Sequence, residues 1–259
     1  MNSTIKRVLI YLLSILIIFV VIELLSLYIN NTFIFPSVKK ILTAFFDVIK
    51  DYKTYLYIGN TILNLLISLV ISFILGMILG VLGGLFKYVR VFLKPWITIL
   101  RSIPLASCIV IIMIIAGLNK TPYFVCSIMV MPIIYEGFCE GIINIDKSLM
   151  DFWRLNSKIN LLVLTKVHFP LIINSIKLSF ISAIGIGIKV VIMAEFLAGV
   201  KNTLGEAIIL YSDLIAYDYV WAYSIIMILI VIIIENLPYL IAYLYRYLRD
   251  KIASKTIYY

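Results

Sequence analysis

Long apolar runs separated by short polar breaks make up most of this chain. Six apolar stretches stand out, at about residues 8–29, 55–86, 105–118, 123–141, 171–199 and 219–244. Most approach or exceed the roughly 20 residues that span a hydrocarbon core as a helix. The runs are continuous, whereas a membrane β-barrel shows short segments of period two. The pattern therefore predicts an all-α integral membrane fold of six transmembrane helices. With short loops these spans use the whole length, so residues 1–259 read as one membrane domain. The conspicuous interruption is the polar stretch 146–166, between the fourth and fifth spans.

Several positions refine the elements. Lys6 and Arg7 precede the first run, which reads as an uncleaved span with Glu23 near its far end. After the Pro36–Ser37 turn, Ile41, Leu42, Phe45, Phe46 and Ile49 form the apolar side of a short amphipathic helix in the membrane interface. Gly76, Gly80, Gly83 and Gly84 in the second span predict close backbone packing. Lys87, Arg90 and Lys94 mark a loop, followed by a short helix near Pro95–Leu100. Pro104 breaks the third hydrophobic region, and Arg101 before it belongs at the interface or in a polar cleft. The stretch Val200–Asp218 reads as a mixed loop.

Composition agrees with the pattern: 64% of residues are hydrophobic and the mean hydropathy is +1.13. A soluble domain is about 45–50% apolar. The net charge of +9 is scattered over loops, which fits lysines and arginines flanking helices and does not fit a nucleic-acid stripe. With both termini inside, thirteen basic residues face the cytoplasm and six the other side. That bias places 146–166 in the cytoplasm. Against it, Lys39, Lys40, Lys50 and Lys53 fall on the outer side. Cys108, Cys126 and Cys139 sit in apolar surroundings without metal spacing, and His168 has no ligand cluster around it.

Read as a helix, the stretch after Asp146 puts Lys147, Asp151, Arg154 and Lys158 on one side. Leu149, Phe152, Trp153 and Leu155 occupy much of the rest. Exposed aromatics on a short charged helix make a protein-binding anchor. An amphipathic helix resting on lipid fits equally well.

This stretch, with its distance to His168–Pro170, resembles the cytoplasmic loop of permease subunits of bacterial ABC importers. The family's Glu-Ala-Ala, its Gly six residues after the Glu, and its Leu-Pro align with Asp151, Phe152, Trp153, Ser157 and Phe169–Pro170. FPSVKKIL, LRSIPLAS (Leu100–Ser107), GIINIDKSLMDFWRL and GIGIKVVIMAEFLAG resemble other segments of the family in order and spacing. The branch most similar is the nitrate/sulfonate/taurine group. The resemblance implies a non-catalytic subunit in a homodimer, in the bacterial cytoplasmic membrane. Two ATP-binding subunits beneath it would hold ATP and Mg, and an extracytoplasmic binding protein would deliver a small anion. Leu149, Asp151, Phe152, Trp153, Arg154, Ser157 and Pro170 would couple the loop to the ATPase. The chain itself has no GxxxxGK[ST] loop, so energy must come from a partner or an ion gradient.

Lys189 and Glu195 are the charges deepest in any span. A lysine at a helix centre costs about 2.5–3.5 kcal/mol on insertion scales, which makes such residues functional candidates. Lys189, Glu195, Gly185, Gly187 and Arg101 are the candidate lining of a translocation path. Structural pairing of Lys189 with Glu136 or Glu235 is the competing reading. An ion-coupled carrier is the alternative class, and a thiamine-precursor-like heterocycle the alternative substrate.

Overall fold

The computed structural model describes residues 3–31, 34–146 and 169–256. Among these, the chain forms α1 (Ser3–Ile29), α2 (Val38–Lys50), α3 (Tyr52–Leu85), α4 (Lys87–Ser102), α5 (Leu105–Ala116), α6 (Thr121–Ile143), α7 (Phe169–Ala198), α8 (Leu204–Asp213) and α9 (Tyr217–Thr256), with no strand. Among the described residues, four helices are long and apolar enough to cross a membrane: Tyr52–Leu85, Leu118–Ile143, Phe169–Ala198 and Tyr217–Leu237. The pair α4–α5, bent by 99°, makes a fifth if it counts as one span. The molecule is a multi-pass, all-helical membrane protein.

The centre is α6, whose Cys126, Val130, Ile134, Phe138 and Ile142 recur every fourth residue and are buried. They meet a matching ridge on α3. A Cβ added at Gly76, Gly80 or Gly84 would lie 2.7–2.9 Å from a side-chain carbon of Ile134, Phe138 or Ile142. Two i±4 ridges thus interlock only because one has no side chains there. The ascending numbers on both sides show that α3 and α6 run in the same direction, so α4–α5 carry the chain back between them.

Other contacts give α7 the opposite direction. Gly137 of α6 lies against Ser179 and Gly141 against Ile172, while Cys126 donates to the Gly187 carbonyl at 3.6 Å. In turn α9 runs antiparallel to α7. The end where α3, α6 and α9 begin also carries α2 and α8. The opposite end carries Leu85, Ile143 and Phe169, and the segment joining α6 to α7 departs from there.

Three sequence expectations change. First, Lys87, Arg90 and Lys94 are not a loop before a short helix. They belong to one helix, Lys87–Ser102, and share a face with Arg101 at helical spacing. Basic residues at steps of three and four are the polar face of an amphipathic helix. Second, Val200–Asp218 contains α8. Thr203 caps it, its Oγ1 accepting from the Glu206 N–H at 3.4 Å, and the Glu206 carboxylate accepts from the Asn202 N–H. This variant of a T-x-x-E capping box ends the turn and starts the helix. Third, α2 forms as expected but packs on α9 through Ile41, Ala44 and Val48, leaving Leu42, Phe46 and Ile49 exposed.

The first predicted span is helical as α1, and Phe19–Ile29 is its described apolar stretch. It is fastened to the bundle by polar contacts. Glu23 accepts from the Val38 N–H at 2.9 Å, at the start of α2, and Ser26 Oγ donates to the Phe35 carbonyl at 3.3 Å. A carboxylate at a helix N-terminus answers an otherwise unpaired donor and the positive end of the dipole.

Candidate functional site

The exposed side of α7 is where polar chemistry meets the membrane-spanning bundle. Lys189 Nζ donates to Glu235 Oε1 of α9 at 3.1 Å, with the two side chains 63% and 39% exposed. Gly185 lies one turn before Lys189 and leaves space for this acid. A Cβ there would sit 2.8 Å from Glu235 Oε1.

Two open grooves flank the pair. One, of about 480 Å³, runs between α7, α8 and α9 and is lined by Lys189, Ile192, Met193, Phe196 and Met227 among others. The second, of about 400 Å³, holds Ser182, Gly185, Lys189, Glu235 and Asn236. Lys189 is the residue common to an apolar and a polar groove. The arrangement offers one cation and one anion, each with unfilled hydrogen-bonding capacity.

Glu195 is elsewhere in both place and character. It lies in the last turn of α7, fully buried, rather than deep in the span. Its carboxylate accepts from Thr61 Oγ1 at 2.8 Å and Asn64 Nδ2 at 2.7 Å, both on α3. Thr61 Oγ1 also accepts from the Leu204 N–H at 3.1 Å, so a relay of bonds joins α8, α3 and α7. Gly205 brings the α8 backbone against Glu195, since a Cβ would lie 2.5 Å from the Glu195 carbonyl carbon. Asn60 Nδ2 donates to the Asn202 carbonyl at 2.8 Å alongside. Glu195 is a clamp holding the α7–α8 turn on α3.

Residues 72–246 match the family model described as binding-protein-dependent transport system inner membrane component. The chain belongs to this family. No curated protein matches it. As a member of a family of transporter permease domains, which are typically non-catalytic, it is a permease component. Membership implies partnership with ATP-binding subunits and a substrate-binding protein.

The remaining candidates of this permease sit apart from Lys189. Arg101, at the end of α4, pairs with Glu136 of α6. Each of the two acids considered for Lys189 is therefore engaged, Glu136 by Arg101 and Glu235 by Lys189. Gly187 faces inward, towards Leu65 and Cys126, and serves packing. Pro170 is the second residue of α7. Leu149, Asp151, Phe152, Trp153, Arg154 and Ser157 lie outside the described residues.

Sequence reading missed Thr61, Asn64 and Asn60. For Asn60 and Asn64 the signal was present: Asn60, Asn64, Ser68, Ser72, Gly76, Gly80 and Gly84 recur every fourth residue along α3, with Thr61 one position off the stripe. Only the glycine half of that stripe was read. Its middle is polar glue to α6, with Ser72 Oγ donating to the Ser127 carbonyl at 3.2 Å and Ser127 Oγ to the Ser68 carbonyl at 3.3 Å.

Proposed function

We propose that this permease is the transmembrane subunit of an ATP-driven importer for a small anionic solute, such as a sulfonate or nitrate. Six spans with both termini in the cytoplasm form the working unit, and a second copy completes the path. Two ATP-binding subunits, which hold ATP and Mg, grip residues 146–166. Asp151, Phe152, Trp153 and Ser157 enter a groove on the ATPase, and closure of the ATPases swings α6 and α7 as rigid levers. An extracytoplasmic binding protein supplies the solute.

The observation that carries the substrate reading is Lys189, set between two grooves and paired with an acid it can share. A solute anion approaching along α7 exchanges for part of the Glu235 contact. The ammonium keeps spare donors, so the exchange leaves no charge unpaired. Two facts support coupling at 146–166. Family membership implies ATP-binding partners, and α6 and α7 finish and start at one end of the bundle.

The test is uptake in cells supplied with the ATPase and binding protein. Lys189→Met is expected to cut anion uptake at least ten-fold while membrane insertion persists. Unchanged uptake, with unchanged dependence on solute charge, would refute the path assignment.

A further inference from the structure

Helix α2 has two apolar faces, and the bundle uses one. Ile41, Ala44 and Val48 are buried against α9. On the outward side Leu42 and Phe46 remain exposed, Phe46 by 57%. They lie in a shallow groove of about 570 Å³ with Lys39, Thr43, Asp47 and Lys50. The positions 39, 42, 43, 46 and 50 follow steps of three and four, so they form one stripe along the helix. The stripe has a cation at each end, with Leu42, Phe46 and the Thr43 hydroxyl between them and Asp47 at its edge. Neither Lys39 nor Lys50 has an ion-pair partner among the described residues. Over residues 39–53 four lysines stand against Asp47 and Asp51.

The surroundings identify the occupant. Tyr52 and Tyr55, which follow α2, are 79% and 57% exposed. Tyrosines beside lysines at the end of a spanning helix are what the headgroup layer selects. The adjoining α1 exposes Leu24 and Leu27. A soluble acidic protein would answer the lysines but leave this apolar surface wet. A phospholipid answers both, because its phosphate and acyl carbons are joined in one molecule.

We propose that the outward face of α2 is a binding site for anionic phospholipid, with the phosphates of neighbouring lipids on Lys39 and on Lys50, about 16 Å apart along the helix, and their acyl carbons on Leu42 and Phe46. The site accounts for lysines that run against the positive-inside bias: they are held by lipid headgroups on the side where they lie.

The purified full-length protein is titrated with phosphatidylglycerol and with phosphatidylcholine of the same acyl chains, and binding is read by native mass spectrometry. Wild type is expected to prefer phosphatidylglycerol. K39Q/K50Q should lose about thirty-fold in phosphatidylglycerol affinity, following the per-lysine attraction of an anionic surface, with phosphatidylcholine binding unchanged. Phe46→Ser should weaken both lipids alike. A wild type that binds the two lipids equally, or a double variant that keeps the wild-type preference, overturns the site. Should the double variant fail to fold, wild type is titrated in rising salt. Loss of the preference supports the site, and a preference indifferent to salt overturns it.

Discussion

Thr61 Oγ1 stands between Glu195 and the Leu204 N–H, donating to the first at 2.8 Å and accepting from the second at 3.1 Å. One hydroxyl thus satisfies a buried carboxylate and the first backbone donor of α8. Buried groups stripped of a partner cost about 1–3 kcal/mol each. Thr61→Val removes both bonds and keeps the shape, so thermal unfolding of the detergent-solubilised protein should fall by several degrees. Glu195→Gln can still engage Thr61 and Asn64 and should be milder than Glu195→Ala. Equal losses for the two Glu195 variants would contradict the clamp.

The α3–α6 contact makes a second prediction. Gly80 has no room, since a Cβ would lie 2.7 Å from both Phe138 Cβ and the Tyr135 carbonyl oxygen. Gly59, in the same helix, has nothing within 4 Å. Gly80→Ala should destabilise by about 1–3 kcal/mol through overpacking. Gly59→Ala should be neutral or stabilise by up to about 1 kcal/mol. Parallel unfolding curves check the contrast, and similar shifts at the two positions would contradict the packing.

The Lys189–Glu235 pair calls for a double-mutant cycle. Each single change, Lys189→Met or Glu235→Leu, leaves one charge without its partner at membrane depth and should lower stability. The double change should recover most of the loss, because the two residues are coupled. Uptake should stay low in all three variants. Additive stability losses would contradict the pairing, and full uptake in the double variant would contradict a role in the path.

Much of this fold was legible because lipid imposes length and continuity on its helices. The Gly76–Gly80–Gly84 ridge announced a close contact, and the structure supplies its partner on α6. The charged segments were harder to read. Lys87, Arg90 and Lys94 looked like a loop because basic residues usually flank spans, yet their spacing with Arg101 is that of one helical face. At Thr203–Glu206 the capping pattern was on view but lay in a stretch too short to draw notice. The Glu195 clamp was half-visible. The acid stood out, but its partners Thr61 and Asn64 are 134 and 131 residues away, and only the folded chain joins them. Lys189 showed two candidate acids, and geometry was needed to assign Glu235 to it.

The proposed coupling of this permease to an ATPase through residues 146–166 is open to direct test. The most direct measurement is co-purification of the ATP-binding subunit with the tagged permease, run beside substrate-stimulated ATP hydrolysis. Wild type should retain the subunit and stimulate hydrolysis. The combined Asp151→Lys and Trp153→Glu variant should insert in the membrane as before yet lose both. A variant that keeps the ATPase at wild-type yield and transports normally would contradict the account.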